Sequence, residues 1–107
     1  MTKERAKEIV DGLCETFPPI SPYIEISNES KFYFSFSGFY DETKYFILTL
    51  SQYADEDYPA LYMSSNSQLD IEFVQSTLKS LLKSGEEINI EYTKKIEVPD
   101  TINIKKD

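Results

Sequence analysis

Alternation of aromatic and polar residues in the middle of the chain restricts its fold more than any other feature. In the segment 31–37, phenylalanine takes every second position, at Phe32, Phe34 and Phe36. The segment 44–51 repeats this spacing, with apolar residues at Phe46, Leu48 and Leu50. Because successive side chains of a strand point to opposite faces of a sheet, both segments are predicted to be half-buried antiparallel strands.

Shorter segments extend this predicted sheet. Residues 23–26 alternate before the first phenylalanine, and turn-forming residues at 27–30 and 38–43 separate the strands. A short fourth strand is predicted over 60–63, with Pro59 at its entry because proline lacks an N–H for the ladder. Apolar residues alternate again from Ile88 onward, which predicts at least one C-terminal strand.

Amphipathic helices are predicted before and after the first four strands. The first helix begins at Lys3 behind Thr2 as N-cap, and Pro18-Pro19 ends it. Its apolar residues recur at helical spacing: Ala6, Ile9, Val10, Leu13, Cys14 and Phe17. The second helix has Ser67 and Asp70 as its predicted capping residues. Its apolar residues are Ile71, Val74, Leu78, Leu81 and Leu82.

These elements predict one α+β domain over residues 1–107. It consists of an N-terminal helix, an antiparallel sheet of about four strands, a second helix and one or more C-terminal strands. A chain of 107 residues with 40% hydrophobic residues is long and apolar enough for one core. Residues 99–107 are alternatively a flexible tail.

The residues that most enzymes use are missing. The chain has no histidine, which removes the commonest general base and the commonest zinc ligand. Its single cysteine, Cys14, is predicted on the apolar face of the first helix, where burial raises the pKa of a thiol. The acidic run 55–57 lacks the ligand spacing of an EF-hand calcium loop. We therefore expect no enzyme activity, no cofactor and no metal site.

Charge restricts the kind of partner. Nineteen Asp and Glu residues against 11 Lys and Arg give a net charge of -8. Nucleic acids and anionic membranes attract clustered basic residues, so we expect the chain to bind neither directly. A protein with a basic surface is the expected partner, while the alternative is that the charge only maintains solubility. The short apolar runs predict no membrane span and the single cysteine no disulfide, so the expected location is the cytoplasm.

Residues 2–84 resemble the RWD domain, a non-catalytic relative of the ubiquitin-conjugating enzyme fold. The resemblance depends on the order of the predicted elements and on three segments: the helix end Cys14-Glu15-Thr16-Phe17, the strand 46–50, and Tyr58-Pro59 followed by 60–65. It implies protein docking, as in RWD modules attached to kinases, ubiquitin ligases and translation regulators. Residues 64–69, where the conjugating enzymes have their catalytic cysteine, contain none. The predicted strands after residue 88 differ from the family, which usually ends in further helix.

A candidate partner-binding site follows from the acidic loop and the tyrosines. Asp55, Glu56 and Asp57 protrude between predicted strands, next to Tyr58 and Tyr62. The sheet face opposite the phenylalanines contains two further candidate residues, Tyr33 and Tyr45. Tyrosine is enriched at protein interfaces. The alternative is that the C-terminal strands cover this tyrosine face, and the oligomeric state is left open.

A second hypothesis comes from another functional class. A small acidic protein can imitate nucleic acid and block the basic cleft of an enzyme, as virus-encoded antagonists of host defence do. The net charge favours this hypothesis. The acidic residues, however, are scattered along the sequence and do not concentrate on one predicted helix face, so docking is the preferred prediction.

Overall fold

A computed structural model of the chain describes residues 1–26, 29–42, 44–65, 71–93 and 100–107. Within these residues the helices are α1 (Lys3–Thr16) and α2 (Ile71–Leu81). The strands are β1 (Ile24–Glu25), β2 (Ser30–Asp41), β3 (Lys44–Tyr53), β4 (Ala60–Ser65), β5 (Glu87–Thr93) and β6 (Asp100–Lys105). The prediction of an α+β chain with a helix at its start, a helix after β4 and strands at its end is confirmed.

The sheet is larger than predicted and its strands are not all antiparallel. Six strands lie side by side in chain order, from β1 at one edge to β6 at the other. All neighbours are antiparallel except β4 and β5, which are parallel. The helix α2 connects these two strands, and such a crossover returns the chain in its original direction. The C-terminal strands therefore enlarge one sheet, and residues 100–105 form its edge strand where a flexible tail was the alternative.

The hairpin between β2 and β3 is tighter than the sequence suggested. Residues 38–43 were predicted as a turn, whereas β2 continues through Gly38 to Asp41. A Cβ atom at Gly38 would lie 2.5 Å from the carbonyl oxygen of Pro18 and 2.8 Å from Cζ of Phe46. The glycine is therefore needed for close packing inside a strand and not for a turn.

The helix ends agree with the sequence where the structure describes them. Thr2 caps α1, since its Oγ1 accepts a hydrogen bond of 3.1 Å from the backbone N–H of Arg5. The predicted capping residues of α2, Ser67 and Asp70, lie outside the described residues. Pro59 directly precedes β4, as predicted, and its carbonyl accepts a hydrogen bond from Asn89 N in β5.

The core lies between the two helices and one face of the sheet, which we call the inner face. Ile9, Leu13, Val74 and Leu78 of the helices are completely buried. The sheet buries apolar side chains against them from alternate positions of β2 to β5, among them Phe32, Phe34, Phe36, Phe46, Leu48, Leu50, Leu61, Met63, Ile88 and Ile90. The predicted assignment of phenylalanine and leucine to the inner face is confirmed.

Arg5 connects three separate parts of the chain. Its guanidinium donates hydrogen bonds to both carboxylate oxygens of Glu86 and, at 2.7 Å, to the carbonyl of Leu81 at the end of α2. It also forms an ion pair with Glu8 one turn along α1. These hydrogen bonds from Arg5 lower the pKa of Glu86, and that of Arg5 is raised in return. The contacts fix the start of α1 against the end of α2 and the entry to β5.

The buried position of Leu78 gives a test of this core. Leu78→Ala is expected to lower the free energy of unfolding by about 2–5 kcal/mol, because it removes buried methyl groups and leaves a cavity. Urea denaturation measures the change. Ser76→Ala, two positions away on the exposed side of α2, is the control and should change stability by less than about 0.5 kcal/mol. Equal stability of Leu78→Ala and the wild type would contradict the placement of α2.

The ion pair of Arg5 and Glu86 predicts a pH dependence of stability. The folded pKa of Glu86 is depressed, so the stabilisation is fully present above the unfolded pKa of about 4.3 and is lost as the pH falls through the folded value. Glu86→Gln should therefore be less stable than the wild type at pH 6, with a difference that shrinks toward pH 3. Denaturation across this pH range tests it, with Glu72→Gln as control. A difference independent of pH would rule out a role for the charge.

Candidate partner-binding face

The sheet face opposite the helices, which we call the outer face, exposes an unusual amount of apolar surface. Side chains at alternate positions of β1 to β4 point away from the core. The large ones that remain 38–59% exposed are Ile24, Phe39, Tyr45, Ile47, Tyr53 and Tyr62. A sheet with one solvated face usually carries polar residues there. This face therefore has the composition of a surface that another molecule covers.

The C-terminal strands do not cover the outer face. The strand β5 pairs with β4 and the strand β6 pairs with β5, so both lie in the plane of the sheet. The alternative in which these strands cover the tyrosines is therefore wrong. They instead widen the outer face and bring the side chain of Glu91 next to Tyr62, its register partner on β4.

Three tyrosines converge at one end of the outer face, in what we call the tyrosine cluster: Tyr33, Tyr53 and Tyr62. Burial raises the pKa of Tyr62, and the carboxylates of Glu91 and Glu56 and the other two tyrosines raise it further. The strand register places all three tyrosines around Ser51: Tyr33 is its partner on β2, Tyr53 lies two positions along β3, and Tyr62 lies two positions from its partner on β4. The cluster is thus a set of three aromatic rings with two carboxylates beside it.

Ser51 lies at the base of the cluster. It pairs with Tyr33 on β2 and with Ala60 on β4, and its side chain is only 1% exposed although it points to the uncovered face. The tyrosines of the cluster occupy the adjoining positions. Cross-strand and diagonal neighbours of this size are close enough to cover a small side chain such as that of Ser51. The hydroxyl oxygen of Ser51 has no hydrogen-bond partner. Two positions along the same strands, by contrast, Ser35 Oγ and Thr49 Oγ1 form a hydrogen bond of 3.0 Å with each other.

Hydrogen bonds hold one of the three acidic residues of the loop 55–57 against the sheet and leave the other two exposed. The carboxylate of Glu56 accepts a hydrogen bond of 2.9 Å from the backbone N–H of Tyr53, and the carbonyl of Glu56 accepts one of 2.8 Å from the amide of the buried Gln52. Glu56 therefore lies beside the tyrosine cluster. Asp55 and Asp57 are exposed to solvent.

The structure brings together part of the predicted site. Tyr33, Tyr62 and Glu56 meet at the tyrosine cluster, as described above. Tyr58 instead lines a shallow cavity with Asp57 and Glu86. Tyr45 lies six positions along β3 from Ser51, the residue that the tyrosine cluster surrounds, and this separation corresponds to about 20 Å.

Sequence reasoning missed three members of this site. Tyr53 continues the outer-face alternation of β3, and this signal was available because the predicted strand ended only two residues earlier. Ser51 was predicted only as the last residue of the strand 44–51. Glu91 joins the site through the parallel pairing of β4 and β5, which no local pattern in the sequence reveals.

The described residues give limited support for other kinds of site. No group of three or more Cys, Asp or Glu side chains among them is placed to hold a metal ion. Neither α1 nor α2 has the length and apolar character needed to cross a membrane. Cys14 is partly buried against the core, and burial together with the carboxylate of Asp11 raises the pKa of its thiol, as predicted.

Comparison with known proteins adds no further information. No family model, no curated protein and no solved structure matches the chain. The function must therefore be inferred from the geometry of the chain itself.

The unpaired hydroxyl of Ser51 gives a stability test of the site. Ser51→Ala should raise the free energy of unfolding by about 1 kcal/mol, because it removes a buried polar group that has no partner. Ser35→Ala should lower it by about 1 kcal/mol, because it leaves Thr49 without its hydrogen bond. Denaturation of the two variants under the same conditions makes the comparison. A loss of stability in both would mean that Ser51 is satisfied in solution.

Proposed function

We propose that this chain is a non-catalytic docking domain that binds a protein partner with a basic surface through its outer face. The observation that carries the proposal is the uncovered aromatic and aliphatic surface opposite the helices. Burial of apolar area is the main driving force for protein association. Interfaces are enriched in aromatic residues, and tyrosine in particular combines an apolar ring with a polar end.

The charge distribution supports a basic partner. Asp55 and Asp57 are exposed in the loop that borders the tyrosine cluster, and Glu56 and Glu91 lie beside its rings. Exposed carboxylates at the rim of an apolar surface accelerate encounter with a positively charged protein. The rings then provide the buried contacts that slow dissociation.

The resemblance to RWD domains supports a docking role of the same kind. We infer an RWD-like arrangement for residues 2–84, in which a helix and four strands are followed by a second helix. The strands β5 and β6 would then be an addition that widens the sheet. A cytoplasmic location is part of this proposal, since the chain has a single cysteine and no disulfide.

One observation favours the inhibitor hypothesis and makes it the second candidate. The acidic residues are scattered along the sequence, yet the exposed face of α1 contains a row of four: Glu4, Glu8, Asp11 and Glu15. Their spacing of three or four residues places the Cβ atoms of neighbours about 5–6 Å apart on one face of the helix. Such a row has the charge sign of a nucleic-acid backbone. Arg5 already pairs with Glu8, which weakens the row.

Replacement of an outer-face residue should distinguish the two functions. Ile47→Lys removes an exposed apolar contact and adds a charge that repels a basic partner, so we expect it to abolish capture of the partner from the source cells. Ser76→Lys adds the same charge on α2, on the opposite side of the sheet, and should retain the partner. Quantitative affinity capture followed by mass spectrometry measures both variants against the wild type.

The same measurement includes the outcome that would refute docking. A variant with Glu4→Gln and Glu15→Gln tests the acidic row of α1. If this variant loses the partner while Ile47→Lys retains it, and the partner is a nuclease or another DNA-binding enzyme, the inhibitor hypothesis replaces docking.

The acidic loop and the tyrosines should affect different rate constants. Neutralising Asp55, Glu56 and Asp57 to Asn, Gln and Asn should slow association more than it accelerates dissociation, because exposed charge acts on encounter and is screened by salt. Tyr62→Ala should mainly accelerate dissociation. Binding kinetics with the captured partner at two salt concentrations test both. The control replaces Glu4, Glu15 and Glu72 by Gln, and an equal effect of the control would show that only net charge matters.

A further inference from the structure

We propose that the tyrosine cluster is the binding site for an arginine side chain of the partner. This inference rests on the docking function proposed above and specifies the chemistry of the partner at one point of the outer face. It depends on three features that occur together: aromatic rings, carboxylates without an ion pair among the described residues, and a buried oxygen without a hydrogen-bond partner.

The rings provide the first feature. Tyr33, Tyr53 and Tyr62 surround Ser51 in the register of β2, β3 and β4. Tyr53 and Tyr62 are 41% and 38% exposed. The face of an aromatic ring attracts a cation, and a guanidinium also stacks on it as a flat group. An arginine side chain that enters between the rings therefore gains contact with its aliphatic part and with its charge.

The carboxylates provide the second feature. Glu91 is the register partner of Tyr62, and the carboxylate of Glu56 accepts a hydrogen bond from the backbone N–H of Tyr53. Both residues are partly buried. In the described part of the chain, the ion pairs join Lys3 to Glu25 and Arg5 to Glu8 and Glu86. Among the described residues, neither Glu56 nor Glu91 forms an ion pair, and a guanidinium placed between them would supply a positive charge to both.

Ser51 provides the third feature, which is independent of charge. Its hydroxyl oxygen is buried at the base of the cluster and has no partner. A buried polar atom without a hydrogen bond destabilises a protein, and where one persists it needs an explanation. A guanidinium has five N–H donors in a planar arrangement, so an arginine can donate to Ser51 while it binds the carboxylates.

A direct titration tests this site without knowledge of the partner. The probe is the peptide acetyl-Gly-Arg-Gly-amide, and the control probe is the same peptide with citrulline, which has nearly the same shape but no charge. We expect the arginine peptide to shift the ring signals of Tyr33, Tyr53 and Tyr62 in tyrosine-labelled protein, with saturation, as measured by NMR. The citrulline peptide should produce no saturating shift.

Variants locate the site and control for general surface charge. Tyr62→Leu and Glu91→Gln should each weaken binding of the arginine peptide by about threefold or more, the lower end of what one ring or one carboxylate contributes. Tyr45→Leu, at the other end of the outer face, and Glu72→Gln, on α2, should leave binding unchanged. Ser51→Ala should weaken binding although it raises the free energy of unfolding, a combination that a purely structural role would not produce.

The outcomes separate this proposal from the docking proposal. Equal binding of the citrulline peptide, or equal effects of Glu91→Gln and Glu72→Gln, would overturn the arginine site. If Ile47→Lys abolishes capture of the partner while Tyr62→Leu and Glu91→Gln affect neither partner nor peptide, docking stands and the arginine site is wrong. If the peptide binds as expected but Ile47→Lys retains the partner, the outer face as a whole is not the docking surface.

Discussion

The placement of both helices on one face of the sheet is the constraint on which the rest of this structure depends. Leu13 of α1 and Leu78 of α2 are completely buried against the same layer of phenylalanine and aliphatic side chains. The helices approach closely, since a Cβ atom at Gly12 would lie 2.5 Å from Cδ2 of Leu81. Arg5 then fixes the end of α2 to the start of α1 and the entry to β5. A core of this kind stabilises the inner face and leaves the outer face without cover from either helix.

That asymmetry connects packing with the proposed function. A six-stranded sheet has two large faces, and the described elements cover one of them. Tyr62 and Ile47 on the other face remain more than one third exposed, so part of their apolar surface is left for a partner to bury. The buried and unpaired hydroxyl of Ser51 lowers the stability of the isolated chain. Functional sites commonly contain such locally unfavourable groups, because selection for binding opposes the optimum for folding.

The acidic residues have different partners in the folded chain, and these differences cannot be read from the number of charges in the sequence. Glu86 forms a structural ion pair with Arg5, whereas Glu56 and Glu91, next to the tyrosine cluster, have no ion pair within the part of the chain that the structure describes. Glu56 and its neighbour Asp55 are both acidic residues of one loop, so the sequence does not distinguish their environments. They differ in the structure, because Tyr53 donates a backbone hydrogen bond to the carboxylate of Glu56 while Asp55 projects into solvent.

The sequence by itself determined the local elements and the direction of many side chains. Alternation at Phe32, Phe34 and Phe36 identified a strand and its buried face, and the helical spacing of α1 identified its core residues, because side-chain periodicity is a property of the backbone alone. Only the tertiary structure decided which strands are neighbours. The parallel pairing of β4 with β5 depends on how α2 packs over the inner face, so the position of Glu91 beside Tyr62 has no local signal. Gly38 was misread for the same reason: its requirement for space comes from Pro18 and Phe46, which are distant in the chain and adjacent only after folding.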